Sequence, residues 1–269
     1  MKKQRYSVLK YNTKNIGDDI QSLAAIKLLS INGINKYSFI DREKLHKYDG
    51  PETNLIMNGW FLHRLKNFPP SDKIKPIFIS FHAQSKQLIN QNKFYFKAHE
   101  PIGCRDIYTR NLLLNNGIDA YLSGCLTLIF DPCQIKGDNI YMVDVNSDCD
   151  YIPNVDFNYY DYFNDKFIEI KHDMFDGNFS CATRINMAID LLNIYARAKL
   201  VITSRLHCAL PCRALNTNCI FLHKNYNTDK RFLGLKEILN GGDTAHENVK
   251  GNKDSLKNMK YYFLNYKLK

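Results

Sequence analysis

The sequence predicts an α/β fold built as two halves around a cleft. Two observations carry that expectation. Apolar runs of strand length alternate with segments of helical period, the pattern of parallel strands joined by helices. The pattern breaks once, at Asp131–Asp138 (DPCQIKGD), where Pro and Gly interrupt it before a second series restarts. The expected division is therefore residues 1–132 and 133–269. A chain of 269 residues is long enough for two ordinary domains or one large one.

In the first half, Tyr6–Lys10 reads as a strand. A polar turn, Tyr11–Ile16, leads through Gly17 into a helix over Asp18–Ser30, whose Ile20, Leu23, Ala24 and Leu28 recur at helical spacing. Asp18 or Asp19 is placed to cap that helix. Asn54–Asn58 and Ile77–Phe81 read as strands. Asp106–Asn116 reads as a helix closed by Gly117, and Ala120–Leu122 as a short strand. The second half restarts with a strand at Asn139–Val145. A polar, aromatic-rich stretch (Asn146–Asp165) precedes a strand at Phe167–Ile170. A helix over Thr183–Ala198 is expected to turn Ile185, Ala188, Ile189, Leu192 and Tyr195 inward. Leu200–Thr203 is a strand, Ser204 a turn and cap, and Arg205 opens a helix that Pro211 kinks or shortens. Asn218–Leu222 is a further strand, and Arg231–Leu239 a helix stopped by Gly241 and Gly242.

Composition sets outer bounds. The apolar share of 45% and charged share of 24% are those of a globular protein. No apolar run approaches the ~20 residues that span a bilayer. The N-terminus, MKKQRYSVLKYNTKN, has no apolar signal core, so a cytoplasmic location is expected. The eight Cys include no C-x-x-C pair, and Cys125, Cys208 and Cys219 sit in apolar context, which points to free, buried thiols. His207 and Cys208 are adjacent on one helix and so point in different directions, and no metal site is expected from His207, Cys208 and Cys212. The net charge of +10 suits an anionic partner, but no nucleic-acid module is recognisable. The basic residues concentrate in the tail, Lys250–Lys269, where six Lys alternate with aromatic residues. Two readings stand for it: an amphipathic helix on a membrane surface, or a terminal helix packed on the body.

The segment KLVITSRLHCALPCRAL, Lys199–Leu215, is the richest in chemistry. A helix start presents unpaired N–H groups and a partial positive charge, and so binds anions. Arg205 adds a planar charged fork suited to phosphate or carboxylate. His207 adds a group that titrates near neutrality. A similar arrangement appears at PIGCRD, with Gly103 after a short strand and Arg105 opening a helix. Two arginines, one per half, would hold a small ligand with two anionic groups. The N-terminal turn supplies Asn15, Gly17, Asp18 and Asp19. MNGWF supplies Asn58 and Trp60, whose face suits a sugar ring, and FHAQS supplies His82 at a strand end. Each has a structural alternative: a cap for the carboxylates, a core position for Trp60 and His82, an ion pair with Asp106 or Glu100 for Arg105.

Taken in order, NIGDDIQ (15–21), MNGW (57–60), CRD and its helix (104–117), YLSGCLTL (121–128) and TSRLHCALPCRAL (203–215) resemble the polysaccharide pyruvyl transferases. The S-R-L-H helix start is the most specific part. NTDKRFL (227–233) resembles the acceptor-side segment and brings in Asp229. The resemblance covers roughly residues 6–240. Glycines that typical members carry at the N-terminal turns are replaced here by Tyr11–Lys14 and Asn58.

The resemblance implies two Rossmann-like halves in a glycosyltransferase-B-like arrangement. It also implies transfer of a pyruvyl group from phosphoenolpyruvate, as co-substrate, to two hydroxyls of a sugar, with formation of a cyclic ketal. Arg105, Arg205, Leu206 and His207 match the donor site. His207 is the expected general acid at the enol carbon, with Asp18 as a candidate for activating the sugar. Asn15, Gly17, Asp18, Asp19, Asn58, Trp60, His82 and Asp229 are the expected acceptor side. No metal or other cofactor is implied, because the arginines offset the donor's charge. The acceptor would be a sugar or lipid-linked oligosaccharide of a cell-surface polysaccharide pathway, met at the inner face of the membrane. A glycosyltransferase using a nucleotide-sugar donor is the alternative on the same fold. A binding module that has lost its chemistry is the alternative from another class.

Overall fold

A computed structural model describes residues 4–61, 65–145, 167–174 and 179–240. Two parallel sheets organise it. The first has six strands in the order β2-β1-β3-β4-β5-β6. In chain order these are β1 Tyr6–Lys10, β2 Ser38–Asp41, β3 Thr53–Phe61, β4 Ile74–Ala83, β5 Ile102–Cys104 and β6 Ala120–Leu122. The second has four strands in the order β10-β9-β7-β8, with β7 Ile140–Val143, β8 Phe167–Ile170, β9 Leu200–Thr203 and β10 Cys219–Phe221. Every strand pair is parallel. Parallel sheets are covered on both faces, which is why Val8, Leu9, Leu55, Ile56 and Met57 are consecutive apolar residues and all buried.

Helix α1 (Gly17–Ile31) lies between the two sheets. Its Ala24, Ala25, Leu28 and Leu29 pack with Val8, Ile56 and Ile79 of the first sheet. Its Ile16 end and Ile20 join a cluster with Val143, Val201, Leu206 and Tyr195 of the second. Helix α5 (Cys181–Arg197) packs against it. The buried stripe of α5 is Arg184, Ala188, Leu191 and Tyr195, while Ile189 is exposed, so the helix is rotated from its expected facing. The physical reason is polar. Arg184 is drawn inward by Asp19, to which it donates from Nε (3.1 Å) and Nη2 (2.6 Å).

Several elements depart from expectation. Short helices α2 (Lys86–Gln91) and α3 (Lys93–Ala98) precede β5, followed by α4 (Ile107–Leu114). Ser85 caps α2. The expected helix at Arg231–Leu239 is split by Gly234 (φ +85°) into a 3₁₀ turn, Lys230–Phe232, and helix α7, Lys236–Asn240. Its expected stop at Gly241 and Gly242, the aromatic stretch Asn146–Asp165, Cys149 and the basic tail lie outside the described residues. Helix α6 (Leu206–Ala214) contains Pro211. The other seven cysteines are free, with Cys104, Cys125, Cys208, Cys212 and Cys219 buried. Among the described residues, no helix is long and apolar enough to cross a membrane.

Candidate functional site

The first sheet contributes a buried histidine–carboxylate pair and a buried arginine from its strand ends. β4 does not run straight to His82. Ser80 has φ +60°, Gly59 on the neighbouring strand has φ +102°, and the β3–β4 register slips between Met57 and Gly59. Such a bulge re-aims the side chains that follow it. The bend is fastened on both sides: Ser80 N donates to Ser123 Oγ (2.8 Å), and Leu126 N donates to Ser80 Oγ (3.0 Å). Beyond the bend, His82 Nδ1 donates to Asp106 Oδ2 at 2.5 Å, and both side chains are buried. The other Asp106 oxygen accepts from Thr109 N (2.9 Å), capping α4. Arg105 therefore does not open the helix as expected. It precedes the cap, held by its backbone N–H on Phe81 O (2.9 Å). Gly103 in β5 has to be glycine, because a Cβ there would stand 2.5 Å from Phe78 O.

Arg105 is 1% exposed, yet its Nε and Nη2 lack a hydrogen-bond partner. The alternative ion pair with Asp106 exists only at 3.7 Å, because the carboxylate is occupied by His82 and by the cap. A buried guanidinium left in this state costs several kcal/mol unless a ligand completes it, roughly the penalty of an unpaired buried charge.

The second sheet supplies α6. Ser204 is not its cap: the hydroxyl donates instead to Asp144 O (2.6 Å), and Arg205 occupies the cap position with no side-chain capping bond. Arg205 is partly exposed and donates to Asp144 Oδ2 (2.6 Å) and Asp173 Oδ2 (3.0 Å). Leu206 is buried in the core around Val201 and Tyr195. His207 departs from helical dihedrals (φ −85°, ψ 20°). Pro211 accounts for this, since it offers no N–H to the carbonyl four residues back and its ring crowds that carbonyl.

The start of α1 packs against the second set at Gly17. A Cβ there would stand 2.9 Å from Asn15 Oδ1, 3.2 Å from His207 Cβ and 3.3 Å from His172 Nδ1. Gly17 thus admits protein side chains where the sequence suggested room for a ligand. His172 follows β8, is buried, and pairs through Nε2 with Tyr195 Oη (2.8 Å). The backbone fixes the junction: Ile16 N donates to His172 O (2.9 Å) and Met174 N to Lys14 O (3.1 Å).

The result is a concentration of polar nitrogens without partners: His82 Nε2, Arg105 Nε and Nη2, His172 Nδ1 and His207 Nε2. Gln84 is near enough to His82 to favour its protonation, but Nε2 makes no hydrogen bond. His207 is partly exposed as a residue, but its Nε2 is buried. Burial first, then the charges of Arg105, His172, Arg231 and His82, hold its pKa well below the usual histidine value. His82 is also lowered, by burial and by Arg105, against the opposing pull of Asp106. These rings and arginines lie within electrostatic reach of one another. The carboxylate beside them, Asp106, is 3.7 Å from Arg105 Nε and taken by His82 and the cap, so the free nitrogens have the chemistry to take an anion.

The other expected residues fall into two groups. Asn58 and Trp60 end β3 beside the bend. Asn58 Nδ2 donates to Gln21 O (2.8 Å), while its Oδ1 and Gln21 Oε1 are buried without partners. Trp60 is the register partner of His82 and donates to Gln84 Oε1 (2.7 Å). Asp18 accepts from Thr13 (2.7 Å) and Gln21 (3.2 Å). Neither Asp18 nor Asp19 caps α1, whose cap position is Ile16 with no side-chain bond; both carboxylates lie in the first turn, where the helix dipole favours them. Asp19 is committed to Arg184. Asp229 accepts from Arg231 N, Nε and Nη2. Burial raises its pKa, but these contacts outweigh burial and hold it low.

Sequence reasoning missed His172, Arg231 as a neighbour of His207, and Arg42. The Arg42 guanidinium lies over the Tyr11 ring at 4.7 Å and near Trp60 at 5.9 Å. His172 had no local signal, because its partners come from residues far away in the chain. Among the described residues, no group of three or more His, Cys, Asp or Glu is arranged to hold a metal ion.

No curated protein matches the chain. Among solved structures, a functionally uncharacterised protein from Klebsiella pneumoniae subsp. pneumoniae aligns over 85% of this chain and 87% of its own, with 17% identity and a TM-score of 0.49. The family model described as polysaccharide pyruvyl transferase matches residues 15–223, from the Asn15 turn at the seam to the histidine just after β10. The matched span takes in Gly17, His82, Arg105, Arg205 and His207, and the chain belongs to the polysaccharide pyruvyl transferase family.

Proposed function

We propose that this protein transfers a pyruvyl group from phosphoenolpyruvate to two hydroxyls of a sugar, forming a cyclic ketal on a cell-surface polysaccharide or its precursor. The observation supporting this reading is the buried Arg105, with two free nitrogens, among His82, His172 and His207. Phosphoenolpyruvate carries a phosphate and a carboxylate on adjacent positions of one small skeleton. Arg105 takes one group and Arg205, with the helix start at Leu206, takes the other. His207 protonates the enol carbon, which makes its neighbour electrophilic, and such acid catalysis contributes roughly 10²–10⁴-fold. The Asn15–Asp19 turn, Asn58, Trp60, His82 and Asp229 form the acceptor side. In this reading the halves 1–132 and 133–269 are Rossmann-like and arranged as in glycosyltransferase-B folds. A lipid-linked acceptor would bring the protein to the inner face of the membrane.

Thermal unfolding with phosphoenolpyruvate, beside a panel of nucleotide sugars, tests the donor. A ligand bound only by the folded state stabilises it by about 2.7 kcal/mol at a hundredfold excess over Kd. Stabilisation by phosphoenolpyruvate alone is expected. Stabilisation by a nucleotide sugar instead would replace this reading with a glycosyltransferase.

A further inference from the structure

We propose that His82, positioned by Asp106, is the general base that takes the proton from the attacking sugar hydroxyl. The inference rests on the pyruvyl-transfer reading above and assigns a role that reading leaves unfilled. Asp18, the earlier candidate, already accepts from Thr13 and Gln21 and lies close to the charge of Arg42.

The argument starts from the tautomer. A carboxylate oxygen only accepts, so the 2.5 Å contact between His82 Nδ1 and Asp106 Oδ2 requires the proton on Nδ1. Thr109 Oγ1, 3.2 Å from the same nitrogen, takes part in the same cluster and accepts from Ala83 N (3.1 Å). In the neutral ring Nε2 then carries a lone pair, and Nε2 is the nitrogen left without a partner. Asp106 cannot swing away, since its other oxygen caps α4. The bend at Ser80 and Gly59 delivers the ring to this position. Trp60, the register partner of His82, is half-buried on the acceptor side of the pyruvyl-transfer reading, one strand away from the ring. Burial and the adjacent Arg105 keep His82 neutral, as a base has to be before it acts.

Two histidines close the proton inventory of a ketal-forming transfer. In the first stage a hydroxyl oxygen bonds to C2 of the donor, its proton goes to His82 Nε2, and the His207 imidazolium gives a proton to C3. In the second stage the C2–O bond to phosphate breaks and His82 returns its proton to the departing phosphate. The second hydroxyl oxygen then bonds to C2, and its proton goes to the now neutral His207. Both rings end as they began, and no further acid or base is needed.

Nitrogen NMR of the full-length protein, labelled at histidine, tests the assignment with phosphoenolpyruvate as probe. His82→Gln identifies the His82 signals by their loss. The expected result is an unprotonated Nε2 on His82 both with and without phosphoenolpyruvate, while His207 becomes doubly protonated when the donor binds. Asp106→Asn, which keeps an oxygen for the helix cap, is expected to lose the unprotonated Nε2 signal without loss of helical circular dichroism. A protonated His82 Nε2 in the donor complex overturns the proposal. Retention of the tautomer in Asp106→Asn removes Asp106 as its positioning residue, and the proposal fails in the form stated. Absence of any His207 response to phosphoenolpyruvate overturns the donor reading itself, and this outcome is distinct from a His207 response accompanied by the wrong His82 tautomer.

Discussion

The pKa of His207 is held well below the usual histidine value, and the role proposed for it requires a proton. Burial and the charge of Arg105 are the main causes of its lowered pKa. A bound trianionic or dianionic donor reverses the second cause by offsetting Arg105. The pKa of His207 is thus higher in the complex than in the free protein, so binding takes up a proton. Affinity for phosphoenolpyruvate is then highest at low pH and declines as pH rises through the pKa of the complex. Calorimetry in two buffers of different ionisation enthalpy measures this uptake. We expect close to one proton in the wild type and none in His207→Ala; equal heats in both buffers would refute the assignment. Arg205 poses a different question, because it already holds Asp144 and Asp173. Arg205→Lys keeps the charge and loses the fork, and is expected to weaken donor binding by roughly tenfold, about 1.4 kcal/mol. An unchanged Kd would leave Arg205 as a link between two carboxylates only. The candidates Arg105 and His207 were legible because each sits in a short strand–turn–helix motif. The free state of the Arg105 nitrogens was not legible, since it depends on what Asp106 does with His82.

At the scale of the element, α6 shows a local rule broken at the position where the site lies. Proline inside a helix normally costs about 3 kcal/mol. Here Pro211 accompanies the irregular dihedrals of His207, four residues back. Pro211→Ala restores the missing N–H donor and lets that turn become regular. The expected outcome is an unfolding temperature unchanged or raised, with turnover lowered roughly 10–100-fold as His207 moves. Turnover equal to the wild type would mean that the irregularity has no catalytic purpose. Elements with strong periodicity were legible: β1, β6, β8 and β9 run over the expected residues, and α1 starts one residue from its expected place. The bend in β4 was not. Nothing in the sequence FISFH says that Ser80 takes a positive φ, because its two fastening bonds come from Ser123 and Leu126.

At the scale of the molecule, the candidate site draws on residues from both sheets, and contacts across α1 join the two. One of these is charged. Burial raises the carboxyl of Asp19 to about 6, even though Arg184 opposes the shift with two hydrogen bonds. An ordinary aspartate titrates near 3.8, so between these two pH values the folded state binds more protons than the unfolded state. Stability from this group therefore falls as pH rises from about 4 to about 6, by at most roughly 3 kcal/mol, and is flat above. Urea unfolding of the wild type and Asp19→Asn across that range isolates the effect. The wild type should lose ground against the variant as pH rises; parallel curves would show that Asp19 is not raised. Two further ties, Ile16 N to His172 O and Met174 N to Lys14 O, are main chain to main chain. Alanine scanning cannot register them, because every residue except proline carries the same N–H. This part of the junction between the sheets is thus written in a portion of the chain that side-chain replacement does not alter, and proline at position 16 or 174 would erase a line of it.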